Sequence, residues 1–210
     1  MRPPVGEGGS PLSYIESSYL ANRRRESARN GDRFARTALL WQNRRVTWPR
    51  KKFDRGAYLQ EVLGGRECFI CRLAKSDPLS AEEVFRDDAH IVFLNRFPTL
   101  EGYVLIAPLE HREQVISDFS LDDYLSLQAL VYRVGEALSE IVPTERLYVL
   151  SVGSQEGNSH VHWHVASLPP GTKYEDQQLA ALMAERIGYL DIPQANRLRF
   201  ADLLRQAMKT

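Results

Sequence analysis

The sequence predicts an α+β domain that follows a basic N-terminal extension. Three observations support this fold class: short apolar runs typical of strands, one long amphipathic segment typical of a helix, and turn residues between them. Of the 210 residues, 43% are hydrophobic and 26% are charged, a balance that is ordinary for a globular protein. We expect the extension to occupy residues 1–60 and the domain to occupy residues 61–210.

The first predicted elements are one helix and two strands. Residues 58–63 form a short helix that ends at Gly64, and residues 91–94 and 103–107 read as strands. A turn with proline and glycine separates the two strands. These two strands are therefore expected to be neighbours in a sheet.

The clearest helix is predicted over residues 121–141. Its apolar residues recur at helical spacing, Ser120 and Asp123 suit a capping box, and Pro143 stops the helix. A strand over 147–152 follows the helix. Residues 175–187 and 197–209 complete the domain as two closing helices.

Three of the five histidines alternate along the last predicted strand, residues 160–166: His160, His162 and His164. A strand points successive side chains to opposite faces, so the imidazoles should share one face and the apolar residues between them the other. This strand and the one before it should form a hairpin around the polar loop 153–159. Imidazole is suited to act as a nucleophile, a general acid or a metal ligand near neutral pH.

The segment His160–Ala166 resembles the signature of the histidine-triad (HIT) nucleotide hydrolases and transferases. Residues 93–98 and 102–108 are similar to the nucleoside-pocket strand and turn of the branch that acts on dinucleoside polyphosphates. The resemblance covers about residues 66–170. It implies an antiparallel sheet with packed helices, the histidine strand lying centrally, and a homodimer.

The resemblance also implies roles for single residues. His162 would attack the α-phosphorus of a nucleotide, and His164 would donate to the phosphate oxygens. Asn95 would hydrogen-bond the ribose. The expected base pocket is apolar and consists of Ile91, Phe93 and Phe97. The backbone amides of the loop 153–159 would help to stabilise charge, and assistance to the leaving group stays open among Gln155, Asn158 and Ser159.

The only two cysteines are separated by two residues, a spacing that suits a metal site, a redox pair or two free thiols. In zinc-bearing HIT relatives a further histidine and the first triad histidine complete the ligand set. The resemblance thus implies structural zinc bound by Cys68, Cys71, His111 and His160. A catalytic metal on the three triad histidines would leave the cysteines unexplained.

Charge is unevenly distributed along the chain. Residues 1–60 carry 13 lysines and arginines against 5 acidic residues, whereas residues 61–210 carry 14 against 22. The basic, aromatic-rich extension could bind nucleic acid, or it could fold back on the acidic remainder. We find no signal peptide and no membrane span in the sequence, and therefore expect a cytoplasmic protein.

The function expected from these features is nucleotide hydrolysis through a nucleotidyl-histidine intermediate. Uridylyltransferases carry glutamine in place of the third triad histidine, so His164 favours hydrolysis over transfer. Three alternatives stay open: a nucleotidyltransferase or phosphorylase, an enzyme that removes adenylate from nucleic-acid ends, and a nucleotide-binding protein without turnover.

Overall fold

The computed structural model describes residues 41, 47–64, 67–75, 82–153 and 158–209. Its strands are β1 (Arg50–Lys51), β2 (Glu83–Arg86), β3 (His90–Leu94), β4 (Val104–Pro108), β5 (Arg146–Ser151), β6 (Trp163–Leu168) and β7 (Tyr189–Leu190). Five of them form an antiparallel sheet in the order β2-β3-β4-β6-β5, and β1 pairs with β7 in a separate ribbon. The histidine strand β6 thus lies inside the sheet, next to the edge strand β5.

The helices are α1 (Arg55–Leu63), α2 (Phe69–Lys75), α3 (Leu121–Ile141), α4 (Leu179–Leu182), α5 (Ala184–Ile187) and α6 (Gln194–Ala207). The two longest, α3 and α6, pack side by side on one face of the sheet and bury the main hydrophobic core there. This architecture confirms the predicted α+β class with an antiparallel sheet. Within the described ranges, none of the helices combines the length and apolar character needed to cross a bilayer.

Helix α3 has the predicted boundaries, because its caps are encoded locally. The Ser120 side chain accepts a hydrogen bond from the amide of Asp123 at 3.1 Å, which satisfies one of the free donors of the first turn. Its apolar residues, such as Leu127, Val134 and Leu138, are fully buried against the sheet. The predicted strands before and after it are also present, shifted by one residue.

The histidine strand differs from the prediction in its start. It was expected over residues 160–166, but pairing with β4 begins only at Trp163. The register would set Val161 opposite Pro108, which has no amide proton to donate. The amide of Val161 instead donates to the carbonyl of Arg112 at 2.7 Å, so His160 and His162 precede the regular strand.

The helix predicted over 175–187 is also wrong in detail, because this segment is broken into a 3-10 turn, α4 and α5. Gln178 interrupts it with a φ of 57°, and its amide donates to the Tyr148 hydroxyl at 2.7 Å. The prediction missed α2, β2 and the β1–β7 ribbon. Each is short and acquires its structure from partners distant in sequence, which local periodicity does not report.

Helix α1 crosses the boundary expected at residue 60, and β1 precedes that boundary. Most of the expected extension, residues 1–40 and 42–46, lies outside the described residues. The division at residue 60 therefore stays a prediction.

Candidate active site and metal cluster

The alternation expected around β6 is observed. Val161, Trp163 and Val165 enter the core beneath α3, while His164 lies on the opposite face of the sheet. The rings of His162 and His164 lie 4.8 Å apart between centroids. Two adjacent imidazoles therefore face one site, as the spacing of the histidines predicted.

His162 is held by a backbone carbonyl. Its Nδ1–H donates to the carbonyl oxygen of His160 at 2.7 Å, and the side chain is buried. A carbonyl oxygen can only accept, so Nδ1 carries the proton and Nε2 keeps its lone pair. Burial lowers the pKa of His162, which outweighs the opposing effect of that hydrogen bond. At neutral pH this imidazole is consequently uncharged and nucleophilic at Nε2.

His164 has a different partner. Its Nδ1 lies 3.0 Å from the hydroxyl of Tyr103, and its Nε2 is buried without a hydrogen-bond partner among the described residues. Burial, with a smaller contribution from His162, lowers the pKa of His164 to about 3. Both imidazoles are therefore neutral in the folded protein at pH 7. Sequence reasoning missed Tyr103, because its link to His164 spans 61 residues.

The four predicted metal ligands come together at the start of this segment. The Nδ1 of His160 lies 3.5 Å from Sγ of Cys68 and 3.6 Å from Sγ of Cys71. The Nδ1 of His111 lies 3.3 Å from Sγ of Cys71, and all four ligand atoms lie within 4.8 Å of one another. Zinc bonds of about 2.0–2.3 Å in a tetrahedron separate ligand atoms by roughly 3.3–3.8 Å, and these three contacts fall within that range, so the residue types and their spacing suit a zinc ion.

Both imidazoles of this cluster turn Nδ1 toward the sulfurs and Nε2 toward an oxygen. The Nε2–H of His160 donates to the carbonyl of Pro108 at 3.0 Å, and Nε2 of His111 lies 3.1 Å from a carboxylate oxygen of Glu113. Such partners hold the Nε2–H tautomer, which leaves both Nδ1 lone pairs for a metal. Burial and the Cys68 thiol raise the pKa of Cys71 to about 11 in the chain alone, and a divalent cation would favour the thiolate.

Ile91 and Phe93, which are predicted to line the base pocket, are buried on the same sheet face as His164. The register sets Phe93 opposite Leu105 and Leu105 opposite His164 across three strands. Phe69, at the start of α2, packs edge-on against both Phe93 and His162 at 6.1 and 6.2 Å. Sequence reasoning missed Phe69, although its position between two cysteines one helical turn apart was a usable signal.

Asn95 and Phe97 lie in the segment that directly follows β3. The side-chain oxygen of Asn95 accepts from the amide of Phe97 at 2.8 Å, which closes a tight turn. Phe97 packs against Phe53, Tyr58 and Tyr189, and the guanidinium of Arg96 lies over its ring. In the sequence, these aromatic neighbours come from before and after the predicted pocket residues. The role of Phe97 in lining a base pocket stays a prediction.

The loop before the triad is described only in part, because residues 154–157, which include Gln155, lie outside the described residues. The side-chain amide of Asn158 donates to the Tyr58 hydroxyl. The hydroxyl of Ser159 donates to Glu113 at 2.9 Å, the carboxylate that also contacts His111. In this structure Ser159 thus supports the cysteine–histidine cluster, and the substrate-binding roles of both residues stay predictions.

The comparisons with known proteins agree with this geometry. Residues 79–170 match the model of the HIT domain. An uncharacterized HIT-like protein from Borreliella burgdorferi is 27% identical over 106 residues, which are 47% of this chain and 73% of that protein.

Solved structures share the fold at low sequence identity. A hypothetical histidine triad nucleotide-binding protein from Sulfolobus tokodaii superposes with a TM-score of 0.54 at 16% identity, over 68% of this chain and 92% of that chain. A zinc-bound histidine triad family protein from Mycobacterium smegmatis gives a TM-score of 0.53 at 18% identity, over 68% and 94%. Residues 79–170 of this chain thus match the HIT domain model, and the chain shares the fold of these histidine triad proteins, with its three alternating histidines on and just before β6.

Proposed function

We propose that this protein hydrolyses a nucleoside phosphate ester or anhydride at its α-phosphorus through a nucleotide bound covalently to His162. The observation that carries the proposal is the hydrogen bond from Nδ1 of His162 to the carbonyl of His160. It leaves a neutral imidazole with its Nε2 lone pair unprotonated on a face lined by Phe69 and His164. This is the protonation state that nucleophilic catalysis by histidine requires.

The chemistry takes two displacements. In the first, the Nε2 lone pair of His162 forms a bond to phosphorus, the bond from phosphorus to the leaving oxygen breaks, and that oxygen takes a proton from solvent. The carbonyl of His160 stabilises the positive charge that develops on the ring through the retained Nδ1–H. In the second, water attacks phosphorus and gives a proton to solvent, Nε2 leaves with its electron pair, and a nucleoside monophosphate is released.

His164 would contact the phosphate during both steps. Its buried Nε2 has no hydrogen-bond partner in the described part of the chain and lies on the same face as His162. A buried polar atom without a partner is costly, and a phosphate oxygen would supply one. The substrate thus satisfies a group that the protein leaves unsatisfied.

We infer that Cys68, Cys71, His111 and His160 hold a zinc ion with a structural role. Two thiolates and two imidazoles close a tetrahedron, so a zinc ion there has no free position for substrate. Bound zinc would supply rigidity to the segment that begins at His160. The carbonyl of that residue orients His162, so the cluster would keep the nucleophile in place.

The test is a substrate panel with a trapped intermediate. The zinc-loaded protein is mixed with dinucleoside polyphosphates, nucleoside phosphoramidates or adenylylated oligonucleotides, quenched in alkali, and searched for a nucleotide adduct by mass spectrometry. We expect an adduct on His162 and release of nucleoside monophosphate. His162→Gly should lose adduct and turnover while keeping fold and zinc content.

A matched control is His90→Asn, which replaces a buried histidine at the start of β3 that contacts Asp87. It should keep both the adduct and turnover. An adduct on another histidine, or normal turnover by His162→Gly, would contradict the proposal. Tight nucleotide binding without product would indicate a binding protein, and product that incorporates added phosphate would indicate a phosphorylase.

A further inference from the structure

We propose that Tyr103 is a positioning residue that holds His164 in its Nε2–H tautomer, so that His164 presents a hydrogen-bond donor to the substrate phosphate. The inference deepens the proposed function and rests on it for the identity of the ligand. Its structural part, the tautomer of a single histidine, is independent of any activity.

The geometry joins two strands. Tyr103 immediately precedes β4, one residue beyond the pair Val104–Val165, and is almost fully buried. Its hydroxyl lies 3.0 Å from Nδ1 of His164, and the two rings meet edge to face with centroids 5.7 Å apart. The contact thus spans from β4 to β6 on the face that carries the triad.

The proton of the phenol selects the tautomer. In the described part of the chain, the hydroxyl of Tyr103 has one hydrogen-bond partner, Nδ1 of His164. If Nδ1 carried the ring proton, it would donate to the phenol oxygen, and two buried groups, the phenol proton and the Nε2 lone pair, would lack a partner among the described residues, against one group in the other tautomer. When the hydroxyl donates to Nδ1 instead, the phenol proton is satisfied and the ring proton lies on Nε2.

The phenol keeps its proton throughout the physiological range, because burial raises the pKa of Tyr103 to about 12. Nε2 of His164 is then a buried N–H without an acceptor among the described residues. A phosphate carries acceptor oxygens only, so an N–H at this position is complementary to it and a lone pair would repel it.

The neighbouring histidine has the opposite arrangement. The carbonyl of His160 holds the proton of His162 on Nδ1, whereas the phenol of Tyr103 holds the proton of His164 on Nε2. One neutral imidazole is thereby an electron-pair donor and its neighbour a hydrogen-bond donor, with ring centroids 4.8 Å apart. Two chemically identical side chains thus acquire distinct roles from the groups that hydrogen-bond to their Nδ1 atoms.

The hydroxyl can be removed without disturbing packing, because the apolar cluster around Tyr103 would hold a phenylalanine equally well. The test is Tyr103→Phe, compared by NMR of protein labelled with ¹⁵N in histidine, with the His164 signals assigned by their loss in His164→Gln. We expect the parent to show a protonated Nε2 and a bare Nδ1 at His164. The variant should show a mixture of tautomers.

Two further readouts separate a positioning role from a structural one. Removing a hydrogen-bond donor to a developing oxyanion costs about 100- to 1000-fold in kcat. Tyr103→Phe, which leaves some molecules in the required tautomer, should therefore lower kcat by roughly 10-fold, with a smaller change in KM. Binding of adenosine monophosphate, used as the probe, should weaken several-fold.

The matched control is Tyr148→Phe. It removes a hydroxyl that accepts a hydrogen bond from the backbone amide of Gln178, and it should leave the tautomer of His164 unchanged. A parent His164 protonated on Nδ1 would overturn the proposal, as would a Tyr103→Phe variant that keeps the Nε2–H tautomer and parental kcat. If no substrate of the panel is turned over, the proposed function fails. The NMR and nucleotide-binding results would still decide the role of Tyr103.

Discussion

The two faces of the central sheet differ in the side chains that they carry. The face beneath α3 and α6 is a continuous apolar core that contains Trp163 and Val165 of β6. The opposite face has a smaller apolar cluster, and it also carries neutral histidines and borders the two cysteines and two histidines that we propose as zinc ligands. Because side chains alternate along a strand, β6 contributes to both faces at once, so stability and chemistry can be changed separately at neighbouring residues.

The largest expected effect on stability comes from the helix-covered face. Trp163 is 4% exposed, and its ring packs against Phe119 and Tyr124 at 5.8 and 6.2 Å. Trp163→Ala should lower the free energy of unfolding by about 3–5 kcal/mol, because it leaves a large cavity. Chemical denaturation followed by circular dichroism measures this loss.

The neighbouring substitution His162→Gly sharpens the comparison between the faces. It should lower the free energy of unfolding by about 2 kcal/mol, less than Trp163→Ala, because the buried imidazole is smaller than the indole and leaves a smaller cavity. If both variants lost the same stability, the division of tasks between the two faces would be wrong.

The next effect in size concerns the metal cluster on the triad face. Cys71→Ser should lose bound zinc and with it the stabilisation that a ligand of the folded state supplies, about 2.7 kcal/mol when zinc is present at 100 times its dissociation constant. For a chain of this size, that loss lowers the melting temperature by roughly 5–10 °C. Elemental analysis and calorimetry measure the two quantities.

The control for the metal prediction is His90→Asn, since His90 is buried but does not belong to the cysteine–histidine cluster. It should keep a full complement of zinc. A Cys71→Ser protein that retains zinc and melts with the parent would rule out the proposed ligand set.

The smallest effect is a pH dependence that originates on the triad face. Burial lowers the pKa of His164 to about 3 in the folded protein, whereas an unfolded chain has the ordinary value of about 6.5. Between these two pKa values, the unfolded state therefore binds a proton at residue 164 that the folded state does not bind. This contribution to stability is complete above pH 6.5 and is lost as pH falls toward 3.

His164→Gln removes that titration. Between pH 7 and pH 5 the parent should therefore lose about 1–2 kcal/mol more stability than the variant, measured by denaturation at each pH with zinc content checked. Equal losses in both proteins would show that His164 does not resist protonation in the folded state.

The structure supports the sequence-based predictions where the determining interactions are local. The boundaries of α3 could be predicted because Ser120 caps the helix and Pro143 follows it, both within a few residues of its ends. The face of each residue in β6 could be predicted because alternation is a property of the backbone. The start of β6 could not, since it depends on Pro108 in another strand.

The same distinction between local and long-range interactions applies to the site. The sequence alone determined which side chains are available: three alternating histidines, a pair of cysteines one helical turn apart, and apolar residues on the alternate face. The tertiary structure decided what each imidazole can do, because the tautomer depends on which group hydrogen-bonds to a nitrogen of the ring. Tyr103 approaches His164 and Pro108 accepts from His160 across separations of 61 and 52 residues, and no local pattern encodes such contacts.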